Sequence, residues 1–326
     1  MGRVDSIKIS IYFENEEITK ANMIKWYQEM LFFKPTKIKG THFEGGRTCK
    51  FHDNKFLKVV EEEINYEDFI IRLNDEDLNL LSLRHSKAFG AHIDMSIAKE
   101  LLPTAILDLL NIVDSFFIKH KGIVAFMCSS EDYVLQNANL NHYQWAGLPT
   151  DNLHLKQSHL NPNEKEVDTE YNPGHSHYPH DLWFGSCWAM WYGDNYFQYI
   201  PKEILENFKN CHENKELEDG SVRILLHDNI WDFDIPDNRE RQWSFRKQTG
   251  IDAIAHQLSN VPVIIHDADS SIELFNGNFE HGGVKKAKYF FDKSGQVVPK
   301  SKAIGYKTYE FDKIGKLVWT DEKLIV

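Results

Sequence analysis

An α+β fold is what the sequence predicts: a mixed, mostly antiparallel sheet with helices packed on it, and β-hairpins towards the C-terminal end. Three observations lead there. Short segments of apolar–polar alternation recur through the first hundred residues, the period of strands with one buried face. Apolar stripes at helical spacing interrupt them at residues 20–33 and 102–120. Two similar segments near the end, residues 289–298 and 309–318, each enclose a turn with glycine at its tip, as hairpins do.

Taken in order, residues 7–13 alternate as a half-buried strand. Residues 20–33 place Met23, Tyr27, Met30 and Leu31 on one helical face, behind Thr19 as N-cap. Strand-like segments are expected at 36–43, 56–60, 68–73, 78–83 and 89–97. In 102–120, Pro103 suits the first turn, Ile106, Leu109, Leu110, Val113 and Phe117 form the stripe, and Gly122 lies just beyond the end. Residues 123–127 then read as a buried strand. One sheet with helices on a single face is the economical layering.

From about 129 to 181 the periodicity lapses, and Asn, His and Pro accumulate around Asn161-Pro162-Asn163 and Asn172-Pro173-Gly174. The expected organisation is therefore an N-terminal α+β region (1–130), a long loop or junction (131–181), a second α+β region packed with the first (182–260) and a hairpin appendage (261–326). In the second region, residues 183–192 read as a tryptophan-rich strand and Pro201 opens a helix. Asp219-Gly220 turns into a strand at 221–226. Asp237 with Glu240 forms a capping-box pattern for a helix through Gln248, which Gly250 stops.

Lys plus Arg total 37 against 49 Asp plus Glu, giving a formal charge of −12. Such a field repels nucleic acid and anionic membrane and draws in basic partners. The four cysteines make no CxxC pair, and no apolar run is long enough to cross a bilayer, so a reduced, cytoplasmic chain is expected. No GxGxxG, phosphate-binding loop, GxSxG or HExxH is present, and the expectation is a protein that is not an enzyme and carries no cofactor.

Two clusters remain as candidate sites. The turn between the 221–226 strand and the next helix reads His227-Asp228-Asn229-Ile230-Trp231-Asp232-Phe233-Asp234-Ile235-Pro236-Asp237. Capping and turn formation account for some of these acids, and the aromatics can anchor the turn to the core. Acidic groups beside rigid apolar area also suit recognition of a basic partner, through Asp228, Trp231, Asp232 and Asp234. The alternative lies in His175, His177 and His180, which could gather around zinc with His154 or His159. That would make the chain a metal-dependent hydrolase. Solvated loop histidines are the simpler account.

Residues 217–251 combine a Gly turn, an apolar strand, Asp-Phe-Asp-Ile-Pro-Asp-Asn and then Arg-Gln-Trp-Ser-Phe-Arg. This arrangement resembles the C-terminal part of bacterial immunity proteins that neutralise toxins of type VI secretion and other polymorphic-toxin systems. The upstream order is similar in outline over residues 5–260: strand-helix-strand, the Phe89-Gly90 strand and the Pro103 helix. The resemblance implies an antitoxin that binds a cognate toxin or effector domain and blocks its active site. It does not extend to the His-rich loop or the C-terminal hairpins.

Overall fold

In β1 (Ser6–Phe13), Ile7, Ile9, Ile11 and Phe13 lie on one face while Lys8, Ser10 and Tyr12 lie on the other, as a strand's period of two dictates. That strand is the middle of the computed structural model, which describes residues 5–76, 79–86, 90–103, 106–145, 147–158, 165–259, 272–276, 284–293, 298, 300–311 and 317–324. After β1 come α1 (Lys20–Met30), β2 (Lys37–Lys39), β3 (Cys49–Lys50) and α2 (Asp53–Glu63). A meander follows of β4 (Asp68–Asn74), β5 (Leu80–Ser86) and β6 (Gly90–Ala98), and then α3 (Ile106–Lys119) and β7 (Val124–Ser129). The next stretch holds α4 (Ser130–Asn137), α5 (Leu140–Trp145) and the small pairs β8 (Leu155–Gln157) with β9 (Lys165–Val167) and β10 (Ser176–His177) with β11 (Phe184–Gly185). The order closes with β12 (Ala189–Tyr192), α6 (Lys202–Glu206), β13 (Glu213–Glu216), β14 (Val222–Leu225), α7 (Pro236–Thr249) and α8 (Ile251–Ser259).

Ten of these strands form one sheet in the order β13-β14-β12-β7-β1-β6-β5-β4-β2-β3. Both neighbours of β1 run against it, with Ile9 opposite Met95 on one side and Met127 on the other. Every pairing among the described residues is antiparallel, as the expected α+β fold with a mostly antiparallel sheet has it. Connections of only a few residues join β4, β5 and β6 and force that direction, and α3 carries the chain past β1 without making a parallel neighbour.

Helices α1, α2 and α3 cover one face, where Trp26 stacks on Phe13 at 4.5 Å and Leu109, Val113 and Phe117 complete the core. A second core lies on the opposite face over β7, β12 and β14, built from Phe126, Met190, Tyr192 and Ile224 with Phe245 of α7 and Ile251 and Ala255 of α8. Helices therefore pack on both faces, not one. The cause is visible in β7, β12 and β14, which are buried on both sides and so need cover on both. Over β4, β5 and β6 the same face stays polar, with Arg72, Arg84, His92 and Asp94 on it.

Several local expectations change. The segment 56–60 is helical, because Phe56, Val59, Val60 and Glu63 recur at i, i+3, i+4 and i+7 and His52 Nδ1 accepts from Lys55 N as N-cap. Within 129–181, α4 and α5 take up the first part of the expected loop. The 183–192 strand divides into β11 and β12, separated by Ser186-Cys187-Trp188. Gly250, at φ +67°, caps α7 as expected, but α8 starts at once behind it. Polar β13 gave no apolar signal, as befits an edge strand.

At the C-terminal end, β15 (Ile272–Asn276), β16 (Val284–Phe291), β17 (Gly305–Phe311) and β18 (Leu317–Leu324) form a four-stranded antiparallel sheet. β17 and β18 pair as the second predicted hairpin requires; its tip, at 312–316, lies outside the described residues, as does the first tip, at 294–297. No helix among the described residues is long and apolar enough to cross a membrane.

Candidate functional site

The acidic turn leaves β14 at Leu226 and enters α7 at Pro236, so two packed elements fix its ends. Its first residue, His227, is buried. The Trp188 indole N–H donates to the His227 carbonyl at 2.8 Å, and His227 Nδ1–H donates to Asn229 O at 2.9 Å. Burial pushes the His227 imidazole down to about 4, so the ring is neutral at pH 7. Asn238 Nδ2 donates to Asp232 O at 2.8 Å, and Arg241 Nη1 to Leu226 O at 2.8 Å. These bonds satisfy the turn's own backbone and hold its shape before any partner arrives.

Of the four residues singled out by sequence, Asp228 and Asp234 are the exposed ones, with side-chain exposures of 87% and 77%. Asp228 lies 3.6 Å from His212 Nε2, and Asp234 accepts from Arg239 Nη2 at 3.2 Å. Asp232 is half-buried. Trp231 is also half-buried: its ring packs against the core beneath α1–α3 and carries Lys99 Nζ 4.7 Å above it. The structure thus gathers all four on one turn, with Trp231 partly anchoring it. Ile235, 46% exposed, adds an apolar neighbour that composition had not singled out. Arg239 ties the turn to α4, pairing with the buried Asp132 at 2.7 Å and lying over the Phe233 ring at 5.5 Å.

The histidine cluster takes a different form from the expected one. His175 and His177 meet, Nε2 to Nε2, at 3.0 Å, and the third member is Asp252 of α8, whose Oδ1 lies 3.3 Å and 3.2 Å from them. The side chain of His180 and the whole of His159 lie outside the described residues, while His154 stacks on Tyr171 elsewhere. Arg246 of α7 occupies the middle of the cluster. Its Nη2 donates to His175 Nε2 at 2.5 Å and to Asp252, its Nε to Asp252 Oδ2 at 3.1 Å, and its Nη1 to His175 O at 2.8 Å and Ser186 Oγ at 3.2 Å.

With His175 Nδ1–H donating to Asn172 O at 2.6 Å, the Nε2 lone pair is the one that Arg246 takes. Burial alone would raise the Asp252 carboxyl, but hydrogen bonds from His177 and Arg246 outweigh it and hold it far below the usual range. Burial pushes the His177 imidazole down in spite of Asp252. The atoms a divalent ion needs are present, yet a guanidinium with 2% of its residue surface exposed already bonds His175 Nε2 and both Asp252 oxygens. What the arrangement does is lock α7, α8 and the 173–186 segment together. Sequence reasoning missed Arg246 and Asp252 because they stand some seventy residues from their partners. Locally, Asp252 reads only as an acid in a helix's first turn.

No family model and no curated protein matches the chain. Among solved structures it is similar to a Pseudomonas aeruginosa protein described as T6SS protein PA0821, with a TM-score of 0.44, 9% identity, and coverage of 77% of this chain and 74% of that one. Likeness at that level assigns neither family nor function.

Proposed function

We propose that the chain is an immunity protein, which binds a cognate toxin or effector domain through the 227–237 turn and neutralises it by covering its active site. The observation that carries this reading is the turn itself. It presents Asp228 and Asp234 to solvent beside Trp231 and Ile235, on a backbone already fixed by β14 and α7. Acids around rigid apolar area are the composition of an anchor for a basic surface, and a fixed backbone lowers the ordering cost of binding. The −12 charge speeds encounter with such a partner, a basic nuclease domain being one that fits. The likeness of residues 217–251 to immunity proteins points the same way.

The test is co-expression with the toxin domain encoded beside the gene. Rescue of growth and co-purification are expected. Neither rescue nor a complex would sink the proposal.

The convergence of His175, His177 and Asp252 is the observation that favours a metal-dependent hydrolase as the second reading. Arg246 in the same space weighs for a structural lock, and metal content of the purified protein separates the two.

A further inference from the structure

Among the described residues, the core on the face opposite α1–α3 takes nothing from β2, β3, β4 or β5, so over these strands that face of the sheet is open. Ile38, Ile71 and Leu73 point into the core beneath α1–α3. By the period of two, Lys37 and Lys39 of β2 and Arg72 of β4 therefore point to the open side. Register sets these cations against one another: Lys37 stands opposite Lys50 of β3, and Lys39 opposite Arg72. Side chains directly opposite lie about 5 Å apart, and those two residues on along a strand about 7 Å. Four cations fill a rectangle of that size, and Arg84 of β5 lies diagonally beyond Arg72.

Like charges placed directly opposite one another destabilise a sheet. Two such pairs stand side by side here, in a chain whose formal charge is −12. Glu76 neutralises one corner, its Oε2 accepting from Lys37 Nζ at 2.9 Å. Lys39, Lys50 and Arg72 are exposed, and none of their side chains has a hydrogen-bond or ion-pair partner among the described residues. Of the acids on the same face, Asp94 is bonded to Lys8 and Ser10, and Asp68 stands four residues from Arg72, about 13 Å along β4. The repulsion is thus left for something outside the chain to relieve.

Charge, spacing and shape decide the partner. At physiological salt fields decay over about 8 Å, so a group seated on the rectangle meets its cations and little of the distant excess of acids. An extended polypeptide carries the side chains of one face about 7 Å apart, which is also the spacing of Lys37 and Lys39, so acids at alternate positions match β2. Single-stranded nucleic acid fits less well. Its binders stack bases on aromatic side chains, and the open positions Lys37, Lys39, Asp68, Ile70, Arg72 and Asn74 supply no ring.

We propose that Lys37, Lys39, Lys50 and Arg72 form a docking surface for an acidic protein segment in extended conformation, with carboxylates at alternate positions. β4 lies six strands from β14 in the sheet order, roughly 30 Å, so this surface is separate from the 227–237 turn. The experiment is an amide-resolved NMR titration of the full chain, at about 0.15 M salt, with a synthetic peptide of alternating Glu and Thr. A peptide of alternating Gln and Thr and an oligothymidylate of matching length serve as controls. Saturable shifts confined to β2, β3, β4 and β5 are expected with the Glu peptide alone. Arg72→Glu sets an opposite charge across from Lys39, so it should raise the urea midpoint of the free protein while weakening the peptide about tenfold or more. A cluster that is only solvated would not move stability and binding in opposite directions. Absence of shifts with the Glu peptide, equal binding by Arg72→Glu, a lowered urea midpoint in that variant, or oligothymidylate binding at the same strength would each overturn the proposal. So would self-association of the wild type that Arg72→Glu abolishes, since a second copy would then be the occupant. The proposal stands or falls independently of the toxin-binding reading.

Discussion

Acid should loosen the proposed binding turn through one residue, His227. Its imidazole is pushed from 6.5 down to about 4 by burial, against the pull of its own hydrogen bond to Asn229 O. The folded chain therefore keeps the ring neutral, while the unfolded chain takes up a proton near 6.5. Between those values the unfolded state binds more protons, so the stability contributed by neutral His227 is complete above about pH 6.5, is lost as pH falls towards 4, and changes no further below that. The shift of 6.5 − 4 = 2.5 units corresponds to about 3 kcal/mol at ~1.36 kcal/mol per unit. His85, His120 and His177 are also pushed down by burial and add losses of the same sign, so the wild-type curve is steeper than this one residue explains. His227→Gln isolates the contribution, since it keeps a side-chain donor for Asn229 O and cannot be protonated. Urea unfolding followed by tryptophan fluorescence, at about pH 7.5 and about pH 4.5, should show the variant losing about 3 kcal/mol less than wild type. Equal losses in the two proteins would refute the account of this turn.

Asp114 is nearly buried beneath the sheet, where it accepts from Arg223 Nη1 at 2.6 Å and from Trp191 Nε1 at 2.7 Å. Asp114→Ala should cost about 3–5 kcal/mol in chemical unfolding, because it leaves a buried guanidinium with only the half-exposed Glu213; a cost under about 1 kcal/mol would contradict that reading. Elemental analysis of the wild-type protein should find zinc well below one equivalent, whereas Arg246→Met, which frees His175 Nε2 and the Asp252 carboxylate, should bind it measurably by titration. Stoichiometric zinc in the wild type would instead establish a metal centre. Weakening of the complex with salt is the remaining expectation: if acids at the turn steer a basic toxin, its association rate should fall as ionic strength rises, while a salt-independent rate would remove the charge argument.

How much was legible follows from how far apart the cooperating residues lie. β4 and β6 showed their period of two because one of their faces is largely buried and the other is not, β1 showed it in residue type although Ser10 and Tyr12 are covered too, and α3 showed its stripe because Leu109, Leu110, Val113 and Phe117 all meet one core. β7 and β12 lacked alternation, and that lack was the sign of cover on both faces. In α2 a five-residue, largely apolar window mimicked a strand; only the longer spacing to Glu63, whose carboxylate accepts from His42 N at 2.7 Å and Phe43 N at 2.8 Å, marks the helix. The acidic turn was readable because its residues are consecutive. The lock of Arg246 and Asp252 on His175 and His177 was not, since it is assembled by topology from distant segments.

The central claim is that the toxin meets the 227–237 turn. Calorimetric titration of the cognate toxin domain into wild type and into the triple reversal Asp228→Lys, Asp232→Lys, Asp234→Lys tests it directly, with circular dichroism showing that both are folded. The account predicts tight binding by wild type and a loss of at least about a hundredfold in the reversed protein, roughly 3 kcal/mol. Unchanged affinity in the reversed protein would contradict it.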